Sequence, residues 1–249
     1  MATVLIPLPR TDFDPTEVAV PWRILHAAGH RIIFATPDGG TASADPVMVT
    51  GKGLGLLAGM LRADANGRSA YETLQNDAAF RQPLAYVQLK ASDLDGLILP
   101  GGHAAGVRPY LESAALHALV VEMFALDKPV GGICHGTVVA ARSRDAQGRS
   151  VLHGRRTTAL TAQMELSAWW LTRAWMGDYY RTCPETVQSE VTRALARPGD
   201  FEIGPMSLRR DAPERPDLGF VVRDGNYLSA RWPGDAHRFG SEFAGLLKP

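Results

Sequence analysis

The chain has 249 residues, and its 26 Lys and Arg balance 26 Asp and Glu, so the formal net charge is zero. That balance leaves no electrostatic footprint for nucleic acid or an anionic membrane, and two cysteines are too few for a disulfide framework or a multi-cysteine metal site. No apolar run reaches the roughly 18–20 residues of a membrane-spanning helix, and the first residues lack a signal-peptide pattern, so a cytoplasmic, reducing setting with free thiols is expected.

Strand and helix patterns alternate along the chain. Thr3 to Leu8 is a short apolar run that predicts a buried strand. Asp14-Pro15-Thr16-Glu17 predicts a helix start, with Asp14 as cap and Pro15 at the first helical position. That helix should reach about Ala28, where Gly29 offers a stop. Arg31 to Ala35 reads as a second strand and Asp95 to Pro100 as a third, ending at Gly101-Gly102. Ser113 to Leu126 is helical by period, Val130 to Ile133 is a strand, and Thr157 to Leu160 is another short one. Leu218 to Ala230 predicts a hairpin turning at Asp224-Gly225-Asn226, and Ala236 to Leu247 a closing helix.

The stretches 37–90 and 161–216 are less regular, with helical pieces at Tyr71–Phe80, Leu166–Met176 and Glu185–Ala196. They read as insertions in a single domain spanning 1–249. Arg209 to Asp217 reads as an exposed loop. Alternating strands and helices argue for an α/β fold whose mainly parallel central sheet is covered on both faces.

Gly132-Ile133-Cys134-His135-Gly136 lies between a buried strand and a small-residue helix, and has the pattern of a cysteine nucleophile elbow. The helix start favours a thiolate. His135 is placed to serve as base, and a carboxylate should fix its tautomer. Glu165 is the candidate orienter, with Asp145 a weaker one. Glycines after the third strand let backbone amides approach a ligand. The Gly102 and His135 amides are therefore expected oxyanion donors, with His103 as a substrate contact. Glu17, near the same sheet edge, should be pushed toward its protonated form and donate to sulfur or shuttle a proton. Trp169, Trp170, Trp175, Tyr179 and Tyr180 allow two readings, a wall over the pocket or ordinary packing. Cys183 reads as a partly buried thiol.

These residues carry a resemblance. Thr16 to Pro21, Leu97 to His103, the Gly132–Gly136 elbow and Val221 to Arg231 resemble, in order, four motifs of the ThiJ/PfpI superfamily, within the class I glutamine amidotransferase-like fold. The resemblance implies a flavodoxin-like three-layer sandwich with helical insertions, commonly a homodimer, with neither metal nor organic cofactor in the chemistry. It implies a cysteine tuned by the glutamate matching Glu17. The insertions look closest to the chaperone and glyoxalase III branch, where a carboxylate about thirty residues after the cysteine completes a triad; Glu165 fits that place. Asp235-Ala236-His237 does not match the His-x-Glu pair of true glutamine amidotransferases.

The expected function is a cysteine-dependent enzyme acting on a small electrophilic carbonyl through Cys134, His135 and Glu165. It would be glyoxalase- or deglycase-like without glutathione, or a related hydrolase. The alternative is a non-catalytic stress protein, a redox sensor or holdase using a low-pKa cysteine. The expected partner is a small-molecule substrate, with no nucleic acid and no membrane.

Overall fold

A computed structural model describes residues 1–206 and 208–247. Seven strands form one sheet in the order β3-β2-β1-β4-β5-β7-β6. They are β1 (Thr3–Pro7), β2 (Arg31–Thr36), β3 (Leu84–Ala85), β4 (Gly96–Leu99), β5 (Val130–Ile133), β6 (Val221–Asp224) and β7 (Tyr227–Ala230). All pairings are parallel except β6 with β7. The inner strands β4, β5 and β7 are buried throughout, as strands covered on both faces must be.

Among the described residues, the helices of seven residues or more are α1 (Pro15–Ala27), α2 (Ala65–Leu74), α3 (Ala114–Ala125), α4 (Gly136–Arg142), α5 (Ala162–Met176), α6 (Val187–Ala194) and α7 (Ala236–Leu246). Helix α1 packs against α2 and α7, while α4 packs against α3 and α6, so the sheet is covered on both sides in a flavodoxin-like α/β arrangement. The main apolar cluster runs from Ala2 to Leu247 and takes in Tyr71 of the first insertion and Val191 of the second.

Local chemistry explains the elements that the sequence predicts. Asp14 Oδ1 accepts from the Thr16 and Glu17 amides at 2.8 and 3.1 Å, capping α1, and Gly29 follows the helix at φ +80°. The β6–β7 hairpin turns at Gly225-Asn226, with Gly225 at φ +60°.

One expectation is corrected. Thr157 to Leu160 is not a strand: Thr157 makes only an isolated bridge with Phe201. Both edges of β7 are already taken by β5 and β6. The segment instead lies on side chains, with the Thr158 amide donating to Ser229 Oγ at 2.9 Å. The Arg209–Asp217 loop is largely exposed, as expected, with Asp211 as its inward anchor. Asp211 is buried, donates its amide to the Gly234 carbonyl and accepts from the Arg238 amide, both at 2.8 Å. Burial pushes its carboxyl up to about 7.

The two insertions meet each other. Met48, Leu54 and Tyr180 form a second apolar cluster with Leu61, Ala168 and Trp169 against it. Trp175 Nε1 donates to the Gly53 carbonyl at 2.8 Å, and the Tyr179 hydroxyl donates to Asp45. Together the insertions roof the carboxyl ends of β1, β4 and β5.

Candidate active site

The strand order reverses between β1 and β4, the kind of switch point where open α/β sheets place their sites. Three chain segments leave the sheet there. The one after β1 carries Asp14 and Glu17, the one after β4 carries Gly101, Gly102 and His103, and the one after β5 carries Cys134 and His135.

The elbow follows from the register of β5. The Cys134 amide continues the ladder by donating to the Ala230 carbonyl at 3.1 Å. The chain then turns at once into α4, which holds Cys134 at φ +57°. A non-glycine residue in that region stores strain on the order of 1–3 kcal/mol, and such strain gathers at functional sites. Gly136 is required by the turn, because a Cβ there would lie 1.9 Å from the Leu99 carbonyl oxygen. Gly101 is required where the three segments meet. A Cβ on it would lie 2.7 Å from the His135 nitrogen and 2.9 Å from Glu17 Oε2.

Cys134 is fully buried, and its Sγ lies 3.5 Å from His135 Nδ1. Glu17 is also fully buried. Its Oε2 accepts from the Gly101 amide at 2.8 Å, while Oε1 has no partner among the described residues. The His103 and His135 rings sit 5.6 Å apart, and His103 Nδ1 and His135 Nε2 are buried without partners. Gly102 rests against the Asp12 carbonyl and Val107.

Burial sets the protonation of the site. It raises the Glu17 carboxyl well above the usual range, helped by the Asp14 charge. It pushes the Cys134 thiol up, helped by Glu17 and Asp14. His135 is driven well below its usual value by burial, then by His103 and Arg142, and burial takes His103 to about 4. Burial thus favours the neutral form of the thiol, of both imidazoles and of the Glu17 carboxyl. The low-pKa cysteine expected from the sequence is corrected accordingly, because the dry surroundings outweigh the helix start.

Glu165 does not reach His135. It is buried, but its Oε2 accepts from the Val187 amide at 2.9 Å and its Oε1 pairs with Arg181 Nη1 at 3.5 Å. Since His135 Nε2 has no partner among the described residues, a Cys134–His135–Glu165 triad is not closed in this structure. Asp145 is spent on its own turn, accepting from the Gln147 and Arg149 amides at 2.9 Å. Cys183 is half-buried beside Arg142. His103, Cys134 and His135 hold their donor atoms within 4.8 Å of one another, the one such metal-ligating group among the described residues.

A cavity of about 260 Å³ opens beside this group, lined in part by Asp14, His103, Met164, Tyr180, Arg210 and Trp232. Of the aromatic candidates only Tyr180 lines it; Trp170 and Trp175 are exposed. Sequence reasoning missed Arg210 and Trp232, which come from loops without a motif. It took Asp14 only as a cap, although burial pushes that carboxyl up to about 6.

A family model described as ThiJ/PfpI family-like matches residues 8–192. The chain belongs to the ThiJ/PfpI family. Within it, a deglycase of Thermococcus kodakarensis is 28% identical over 165 residues, covering 66% of this chain and 69% of that protein. The deglycase PfpI of Pyrococcus furiosus is 24% identical over 241 residues, 97% of each chain. Among solved structures, glyoxalase III from Candida albicans superposes with a TM-score of 0.70 at 17% identity, covering 99% of this chain and 98% of that one. At that identity the likeness shows the ThiJ/PfpI fold alone. Together with the deglycase relatives, the buried cysteine–imidazole pair marks an enzyme-like site of the ThiJ/PfpI type.

Proposed function

We propose that the protein is a cysteine-dependent enzyme acting on a small electrophilic carbonyl, of the glyoxalase or deglycase kind. The observation that carries this reading is the 3.5 Å approach of His135 Nδ1 to Cys134 Sγ on a strained elbow, with Glu17 buried beside it. The deglycase relatives support it.

For a 2-oxoaldehyde, Cys134 Sγ bonds to the aldehyde carbon as its proton passes to His135. The carbonyl electron pair moves to oxygen, for which the His135 and Gly102 amides are the proposed donors. Protonation of that oxygen gives a hemithioacetal. A base then removes the proton on the former aldehyde carbon, and the neighbouring ketone carbon takes up a proton. The first carbon is oxidised to a thioester while the second is reduced to an alcohol, so no external redox partner enters. Water splits the thioester, releasing a 2-hydroxy acid and the thiol. Glu17, protonated in the resting state, donates toward sulfur or shuttles the proton. His135 and Glu17 carry the proton traffic without Glu165.

The sensor reading is weaker, since a fully buried, protonated thiol is poorly suited to preferential oxidation. Two free cysteines fit a cytoplasmic, reducing compartment, and a homodimer belongs to the same reading. Purified protein incubated with methylglyoxal should release lactate, and Cys134→Ala should lose at least about 10²-fold of the rate. Equal lactate from both proteins would overturn the proposal.

A further inference from the structure

The cavity beside the elbow is built for more than a three-carbon carbonyl. One water needs about 10–15 Å³ of such space, so about 260 Å³ is far larger than that substrate requires. Most of the lining is apolar, with Met48, Leu61, Met164 and Leu171 among its walls.

One wall is different. Arg210, Tyr180 and Trp232 all line the cavity, and each ends in a buried polar atom with no partner among the described residues: Arg210 Nη1, the Tyr180 hydroxyl and Trp232 Nε1. Tyr180 is only 3% exposed. Buried polar groups are rarely left unpaired, so three on one cavity wall call for an explanation. Guanidinium and indole N–H groups can only donate, and a phenol donates readily. Their complement is therefore a group rich in acceptors, and next to a guanidinium that group is an anion with paired oxygens.

Arg210 interacts electrostatically with the Asp14 carboxyl on the same cavity, yet Arg210 Nη1 bonds no partner among the described residues, and the guanidinium is held in place for such a group. Its Nη2 donates to the Arg62 carbonyl at 3.2 Å, and its guanidinium carbon lies 5.0 Å from the centre of the Trp232 ring. His103 lines the same cavity, its ring centre 5.6 Å from that of His135 in a tilted contact and 5.3 Å from that of Tyr180 edge to face. It links the cavity to the nucleophile.

We propose that this wall is a carboxylate subsite, and that the substrate of the Cys134 site is a carbonyl compound bearing a bulky apolar group and a carboxylate. Arg210, with Tyr180 and Trp232, receives the carboxylate. The methionine and leucine walls cover the apolar group, and the reactive carbonyl points past His103. The identity of the substrate rests on the carbonyl-enzyme reading; the carboxylate subsite itself does not.

The test is calorimetric titration of the full-length Cys134→Ala protein with 4-phenylbutyrate and with its neutral counterpart, 4-phenylbutanamide. The carboxylate should bind at least tenfold more tightly than the amide. In the Arg210→Met background that preference should vanish while amide binding stays, and Arg210→Lys should keep part of it. Circular dichroism checks that each variant is folded; should Arg210→Met not fold, Arg210→Lys and Tyr180→Phe must each weaken carboxylate binding instead. Equal binding of the two compounds, binding of neither, or a preference untouched in folded Arg210 variants would overturn the subsite. Tight carboxylate binding by a protein that turns over no carbonyl would leave the subsite standing and remove the enzyme reading. Lactate production without carboxylate preference would do the reverse.

Discussion

Glu17 and Cys134 share a space from which water is excluded, and neither ionises easily beside the other. The carboxyl is raised first by burial and then by Asp14, and the thiol is raised in turn by burial and by the Glu17 charge. Replacing Glu17 with Gln keeps an acceptor for the Gly101 amide and a donor for sulfur, but removes the mobile proton and the charge that Glu17 gains once it ionises as pH rises. Glu17→Gln should therefore lower the Cys134 thiol pKa, read as thiolate absorbance near 240 nm against pH. Turnover should still fall by roughly 10²-fold, the ordinary worth of a positioned proton donor. A thiol pKa that stays put or rises would break the argument that the two groups are electrostatically coupled.

Glu165 shows how an element-scale role can resemble a catalytic one. It occupies the first turn of α5, where the Thr161 hydroxyl caps the helix, and its carboxylate receives the first amide of α6. It clasps two helices of the second insertion. Burial pushes its carboxyl up to about 7, above the ordinary 4.5, so folding takes up a proton at this residue. Its contribution to stability is complete below about pH 4.5 and is lost as pH rises through about 7. Glu165→Gln keeps the acceptor for Val187 and cannot ionise. Its stability relative to the wild type should improve between pH 5 and 8, by up to about 3 kcal/mol, in urea melts taken across that range. Turnover should stay within about tenfold, against the much larger loss a missing triad member causes; a loss matching that of Cys134→Ala would restore Glu165 to the catalytic group. The sequence spacing from Cys134 could not separate these roles, because helix packing decides where the carboxylate lands. The same limit hid the two-residue edge strand Leu84–Ala85 and misread Thr157–Leu160. Both depend on which strand edges remain open. Elements marked by their own chemistry, such as the Asp14-Pro15 start and the Asp224-Gly225-Asn226 turn, were legible.

At the scale of the whole molecule, the legible half of the site is the half built on strand ends. Glu17, Gly101, Cys134 and His135 sit in short motifs beside β1, β4 and β5, so pattern and position coincide. Arg210, Tyr180 and Trp232 arrive from loops far apart in the chain, and only the finished fold brings them to one wall. Trp232 is held there by its neighbours in the chain. Arg231 and Asp235 flank that segment and are 1% and 0% exposed. Arg231 Nε and Nη2 donate to Asp235 at 3.0 and 2.9 Å, and the Asp235 carboxylate also receives the Arg231 and Phe220 amides. Arg231 Nη1 reaches the Pro205 carbonyl at 2.6 Å, tying the end of β7 to the second insertion. Removing one partner of a buried pair strands the other charge, at a cost of about 3–5 kcal/mol. Asp235→Asn preserves the shape and one acceptor, so its effect isolates the charge. Urea unfolding should show a loss of that size with an unchanged slope. Calorimetric binding of 4-phenylbutyrate should weaken with it, because the wall is only as fixed as the pair behind it. A loss below about 1 kcal/mol would mean that water or the protein relaxes around Arg231, and that the cavity wall is held by packing alone.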